Sequence, residues 1–242
     1  MRSLAGLLAD VEHGRPPAPD GGLTILPQPS PRDLGVIAFT AHSVVFADVD
    51  PDWVRGRLPA GDLSAPLCPP FLQALAERTG RGIGSLDQLV LAGPLDGPPP
   101  ARLDEITGAD HPRVRRARRY RDRVRVWTCA GGVLAVGRGV AGRWEAAVEV
   151  EPEHRGRGLG RLLARSARHL VHAPMWAQVA PGNAASVRAF LAAGYQPVGA
   201  EVLFPRPDVS VPGDPFRSLP VKSPPLGETE RGGPPAPQDR YV

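Results

Sequence analysis

Apolar positions along the chain repeat in two rhythms, and the rhythm changes between segments. Residues 35–49 are rich in β-branched and aromatic side chains, which predicts a strand or a strand pair. Asp50-Pro51 then suits a helix start, with Asp50 as cap and proline in the first turn. Phe71, Leu72, Leu75 and Ala76 have helical spacing within Pro69 to Thr79, and Ser85 is placed to cap a further short helix through Leu91. Asp110-His111-Pro112 opens a helix that runs to about Arg121. Strands are predicted at Val124–Cys129, Val133–Val136 and Trp144–Val150, joined by Gly131-Gly132 and by residues 137–142, so they should form an antiparallel meander. A helix from about Gly158 to Val171 follows, with Leu159, Leu162, Leu163, Ala167, Leu170 and Val171 on one face. The pattern closes with a strand at Met175–Val179, a helix at Asn183–Ala193 and a strand at Pro197–Phe204.

Between these segments the 30 prolines of the 242-residue chain are unevenly spread, crowding residues 16–31, 97–100 and 205–237. They divide the chain into a flexible N-terminal arm (1–30), an α/β region (31–98), a second α/β unit (99–204) and a Pro-rich tail (205–242). Gly97-Pro-Pro-Pro100 reads as the internal linker. A hydrophobic content of 42% with 22% charged residues fits a globular protein.

Charge alters this picture less than its size suggests. The formal net charge is +4, which invites a nucleic-acid reading, yet Lys222 is the only lysine, so arginine serves as the general basic residue. The arginines at 113–125 lack the interleaved aromatics that stack bases, which argues against nucleic acid. No apolar run approaches a membrane span, and Met1 to Glu12 makes a poor signal peptide, so a cytoplasmic protein is expected. Cys68 and Cys129 are too few and too far apart in sequence for a disulfide framework and are read as two buried thiols. No metal site is expected, because His169 and His172 lack a third ligand.

The chemistry is concentrated in Val148-Glu-Val-Glu-Pro-Glu-His-Arg-Gly-Arg-Gly-Leu-Gly-Arg161. An apolar strand runs through an acidic turn into Arg-Gly-x-Gly-x-Gly at a helix start. Glycines there let a ligand approach the backbone, and the unpaired N–H groups with the positive helix end attract phosphate. Arg155, Arg157 and Arg161 add full charge, so Gly156, Gly158, Leu159 and Gly160 are the expected backbone of a pyrophosphate site. No Gly-Lys-Ser/Thr follows, and Arg161 occupies the third position of the dinucleotide fingerprint, which excludes both of those motifs.

Downstream, Asn183-x-x-Ser186 through Phe190-x-x-x-Gly194-Tyr195 opens and closes a second helix. Together the two segments resemble the GNAT N-acetyltransferase superfamily: Arg155-x-x-Gly158-x-Gly160 is similar to its Gln/Arg-x-x-Gly-x-Gly/Ala signature, and the Asn183 helix to its second conserved segment. The resemblance covers roughly residues 100–204; residues 35–98 match more loosely. It implies a mixed, mostly antiparallel twisted α/β sheet flanked by helices, with acetyl-CoA as co-substrate and a small-molecule or peptide amine as acceptor; a homodimer is left open. It further implies that the strand ending at Val148–Val150 splays from Met175–Val179, that backbone groups of Val148 and Val150 hold the pantetheine arm, and that Asn183 and Ser186 lie near the thioester.

The chain departs from the family where many members carry an acidic tyrosine, a position held here by Phe190, and where some place a carboxylate, held here by Gln178. Candidate bases therefore move to Glu145 and Glu149, four apart on one strand face, where apolar surroundings would raise a carboxyl pKa. A catalytically weak CoA-binding sensor or scaffold, and an arginine-rich nucleic-acid-binding protein, remain as alternative functions.

Overall fold

In a computed structural model of the chain, which describes residues 3–107 and 112–207, the alternating segments zip into one ten-stranded mixed sheet. The strands are β1 (Leu23–Leu26), β2 (Gly35–Phe39), β3 (His42–Phe46), β4 (Leu86–Ala92), β5 (Asp104–Glu105), β6 (Asp122–Cys129), β7 (Gly132–Arg138), β8 (Trp144–Val150), β9 (Met175–Val179) and β10 (Gln196–Leu203). Their order is β1-β3-β2-β10-β4-β9-β8-β7-β6-β5, antiparallel throughout except at β1/β3 and β8/β9. The expected meander is present as β6-β7-β8.

Because side chains alternate across a strand, the cores sort cleanly onto two faces. On one, α2 (Pro51–Arg55) and α3 (Pro69–Thr79) cover Val36, Val45 and Val202. On the same face α5 (Leu159–Ala167) and α6 (Ala184–Ala192) cover Val90, Leu134, Ala146, Met175 and Ala177. The opposite face carries α1 (Leu4–Glu12) over Ile37, Leu89 and Trp176, and α4 (Pro112–Tyr120) over Val126 and Ala135. No described helix is long and apolar enough to cross a membrane.

Four expectations change. The segment read as a flexible arm is structured from Ser3 onward. Ser3 caps α1 by accepting from Gly6 N–H at 3.2 Å, and Leu4, Leu7, Leu8 and Val11 are all buried. Burying four such side chains contributes about 6–12 kcal/mol before chain entropy is charged against it, enough to hold a nine-residue helix that would be marginal alone. The short helix expected after Ser85 is instead β4, flanked by β10 and β9. The Gly97–Pro100 stretch is strapped to α5 rather than loose: Leu95 N–H donates to Arg168 O (2.9 Å), His169 Nδ1 meets Gly97 O (3.1 Å), and Ala101 N–H donates to Ser166 Oγ (3.2 Å). Cys68 and Cys129 are free and half-buried rather than fully buried. The helix start at Asp110-His111 and the tail beyond residue 207 lie outside the described residues.

Candidate functional site

Strand β9 is zipped to β4 over five register pairs, Gln88↔Val179 through Ala92↔Met175. Against β8 it pairs only twice, at Trp144↔Met175 and Glu145↔Trp176, and the two parallel strands then diverge. This is the splay expected from the sequence. On its β8 side the backbone alternates: Glu151 N–H donates toward β7, to Gly131 O at 2.9 Å. The amides of Val148 and Val150 therefore turn the other way, into the splay. The carbonyl of Val150 faces away from β7 too, where it accepts from Arg155 Nε at 3.2 Å.

Beside the splay, Gly158 is the residue before α5, with φ +82°, and Gly156 has φ +75°. Only glycine takes these left-handed values without strain, and a Cβ built at either position meets nothing within 4 Å. No side chain caps the helix. The turn is thus lined by bare main chain and left open, with Leu159 and Gly160 forming the first turn against Val150 and Ala189. Arg157 and Arg161 are exposed and make no ion pair among the described residues, whereas Arg155 braces the end of β8. That geometry fits a diphosphate: main-chain donors, the positive helix end and exposed guanidinium groups beside an open turn.

Asn183 caps α6, its Oδ1 accepting from Ser186 N–H at 3.1 Å, which leaves its amide nitrogen and the Ser186 hydroxyl uncommitted among the described residues. Phe190 is buried edge-on against Tyr195, ring centroids 4.9 Å apart. The Tyr195 hydroxyl donates to Ala164 O at 3.2 Å, and burial pushes its pKa up, so it is a packing residue with no labile proton near neutrality.

The two glutamates part company. Glu145 and Glu149 do share a face, but Glu145 is 2% exposed and fully engaged. It accepts from Arg143 Nε (2.8 Å), Arg121 Nε (3.0 Å) and Val140 N–H (3.2 Å). Gly139 lies so near its carboxyl that a Cβ there would stand 2.0 Å from it. Burial alone would raise the Glu145 pKa, but the charges of Arg143 and Arg121 outweigh it and hold the carboxyl below its ordinary value. The raised pKa expected for a base is not what its surroundings produce; Glu145 is an anchor at the foot of the splay. Glu149 is exposed, farther along β8, beside the diverging gap.

Sequence reasoning passed over the far side of this cluster. Arg143, 4% exposed, donates from Nη2 to Glu201 Oε1 at 2.7 Å and lies 5.0 Å from the Trp176 ring centroid. Burial works against the Arg143 charge, yet Glu201 and Glu145 more than offset it and its pKa rises. Gln178 Nε2 also donates to Glu201 Oε1. Arg143 Nη1 and Glu201 Oε2 are buried without a hydrogen-bond partner among the described residues. The one available signal was the pair of charges at 143 and 145 within a strand start; Glu201, 58 residues from Arg143, gave none. Two cavities, of about 740 Å³ by β1, β3 and α3 and about 350 Å³ by the start of α1, are lined by residues outside the diverging part of β8 and β9.

Residues 112–195 match the family model described as the acetyltransferase (GNAT) family. Among solved structures, the chain is similar to a GCN5-related N-acetyltransferase from Kribbella flavida, at 20% identity and TM-score 0.36, covering 57% of this chain and 64% of that one. It is also similar to a GCN5-related N-acetyltransferase from Sphaerobacter thermophilus, at 17% identity and TM-score 0.34, covering 55% of each chain. The match thus spans less than two thirds of either structure's length. No curated protein matches the chain.

Proposed function

We propose that this chain, whose residues 112–195 match the acetyltransferase (GNAT) family model, transfers the acetyl group of acetyl-CoA to a primary amine in the cytoplasm. The observation that carries the reading is the conjunction of two features: β8 and β9 part after two register pairs, and the turn at Gly156–Gly158, with open space at both glycines, lies beside the gap.

In this reading the backbone N–H groups from Gly156 to Arg161 receive the diphosphate, Arg157 and Arg161 close over it, and the inward amides of Val148 and Val150 pair with the pantetheine arm as a missing strand would. Asn183 and Ser186 approach the thioester end. The amine nitrogen attacks the thioester carbonyl carbon from the other side of the gap; the C–N bond forms, the C–S bond breaks, and the thiolate leaves. An inward N–H near Val150 polarises the carbonyl oxygen, and holding both reactants in line supplies much of the acceleration. Glu149, on the exposed part of β8, is the carboxylate left to take the amine's proton, directly or through water.

A second reading, a CoA-binding module with little turnover, is favoured by one specific fact: Phe190 and Tyr195 pack against each other and offer no acid to the leaving thiolate. Calorimetric titration with acetyl-CoA tests the coenzyme site, and thiol release with a panel of amines separates the two readings. Binding with thiol release supports the transferase; binding without it for every amine supports the module; no heat at millimolar coenzyme removes both.

A further inference from the structure

One polar side chain in the wall of the splay has its orientation imposed from behind. Gln178 lies two residues beyond Trp176, the last residue of β9 to pair with β8, and on the same sheet face. It is half-buried, and its Nε2 donates to Glu201 Oε1. A carboxylate oxygen accepts and does not donate, so the carboxamide must turn its NH2 toward Glu201. Its carbonyl Oε1 is left with no donor among the described residues. Glu201 cannot swing away, because Arg143 fixes the same oxygen at 2.7 Å and is itself fixed by Glu145 at 2.8 Å.

This array is not what stability alone would build. Arg143 Nη1 and Glu201 Oε2 stay buried with no hydrogen-bond partner among the described residues, and a buried polar atom left so is destabilising. Replacing a buried ionic cluster by apolar side chains is commonly neutral or stabilising. What the cluster does achieve is a carbonyl of fixed direction beside the diverging strands, on the face opposite α5 and α6.

We infer that Gln178 receives the acceptor: its Oε1 takes a hydrogen bond from an N–H of the incoming amine, while Glu201 and Arg143 are positioning residues that lock the carboxamide. This rests on the acetyltransferase reading above. A carbonyl accepts a hydrogen bond but holds no proton, so Gln178 aligns the nucleophile and leaves proton removal to another group.

The test uses the full chain with hydroxylamine, a minimal N–H nucleophile, as acceptor, and follows thiol release alongside calorimetric binding of acetyl-CoA. Gln178→Ala should raise the KM for hydroxylamine about tenfold, the loss of one hydrogen bond, with coenzyme affinity unchanged. Glu201→Gln can offer its own N–H and lets the Gln178 amide turn over, so a smaller rise, about threefold, is expected. Gln178→Glu should make KM climb with pH, because only the protonated carboxyl can donate to Glu201 and still accept from the amine. Unchanged KM in Gln178→Ala, a flat pH profile in Gln178→Glu, or loss of coenzyme affinity in parallel with KM across all three variants overturns the inference. So does a wild-type chain that binds acetyl-CoA and gives no hydroxylamine-dependent thiol release. Failure of the wild-type chain to bind acetyl-CoA is a different result: it removes the acetyltransferase reading and this one with it.

Discussion

The two edges of β9 meet the rest of the sheet in opposite ways. On the β4 side five register pairs run the full length of the strand, with Leu89 and Val90 wholly buried between the two faces. On the β8 side two pairs are made and the rest of the backbone is given up to a gap. The same five residues thus close the sheet on one edge and leave it open on the other. An open gap between strands leaves main-chain groups unpaired, and the closed edge together with the ion cluster at Glu145 holds the strands while the gap stays apart.

Substitutions that separate these roles give a ranked set of tests. Glu145→Ala removes the anchor where β8 leaves β9, leaves buried Arg143 with Glu201 as its one remaining carboxylate and takes from Arg121 the carboxylate it donates to; a loss of about 3–5 kcal/mol in urea unfolding is expected. The contribution of Glu145 is present at neutral pH and is lost as pH falls through its lowered folded-state pKa, so the gap between variant and parent should narrow in acid. Leu89→Ala opens a cavity on the zipped edge and should cost about 3 kcal/mol, while the folded fraction keeps its acetyl-CoA affinity; a large drop in affinity would mean the two edges are coupled. Gly158→Glu makes the converse change. At φ +82° with open space around it, the side chain brings backbone strain and a negative charge to the turn, and acetyl-CoA affinity should fall about a hundredfold or more by calorimetry, roughly 2.7 kcal/mol, while the strain lowers the melting temperature by only a few degrees. The smallest effect lies at Asp87, the register neighbour of Glu201, whose pKa is pushed up to about 6 mainly by burial. Its raised pKa means the folded chain binds that proton more tightly, so stability declines as pH rises from about 4 to about 6. Asp87→Asn should remove the decline and gain about 1 kcal/mol at pH 7, a figure discounted for its partial exposure.

The strands and helices of the second half were legible because each announces itself locally. Trp144–Val150 and Met175–Val179 have the bounds expected, and the bare turn follows from three glycines at a helix start. Elements set by distant partners were not. Leu86, Leu89 and Val90 satisfy helical spacing as well as strand spacing, and only pairing with β9 and β10 decides for β4. Leu4, Leu7, Leu8 and Val11 are spaced for a helix, yet nothing local says that a sheet face awaits them. Glu145 and Glu149 look equivalent along the strand; Arg121, 24 residues before Glu145, is what makes them different.

The strand order has a practical corollary. Since β4, from before the proline run, lies wedged between β9 and β10, from after it, Gly97–Pro100 is a false seam. Cutting the polypeptide there would strip β9 of its zipped neighbour and present a bare apolar ribbon prone to self-association. The second half is therefore not a portable module, and two co-expressed pieces should be recovered only as a complemented pair.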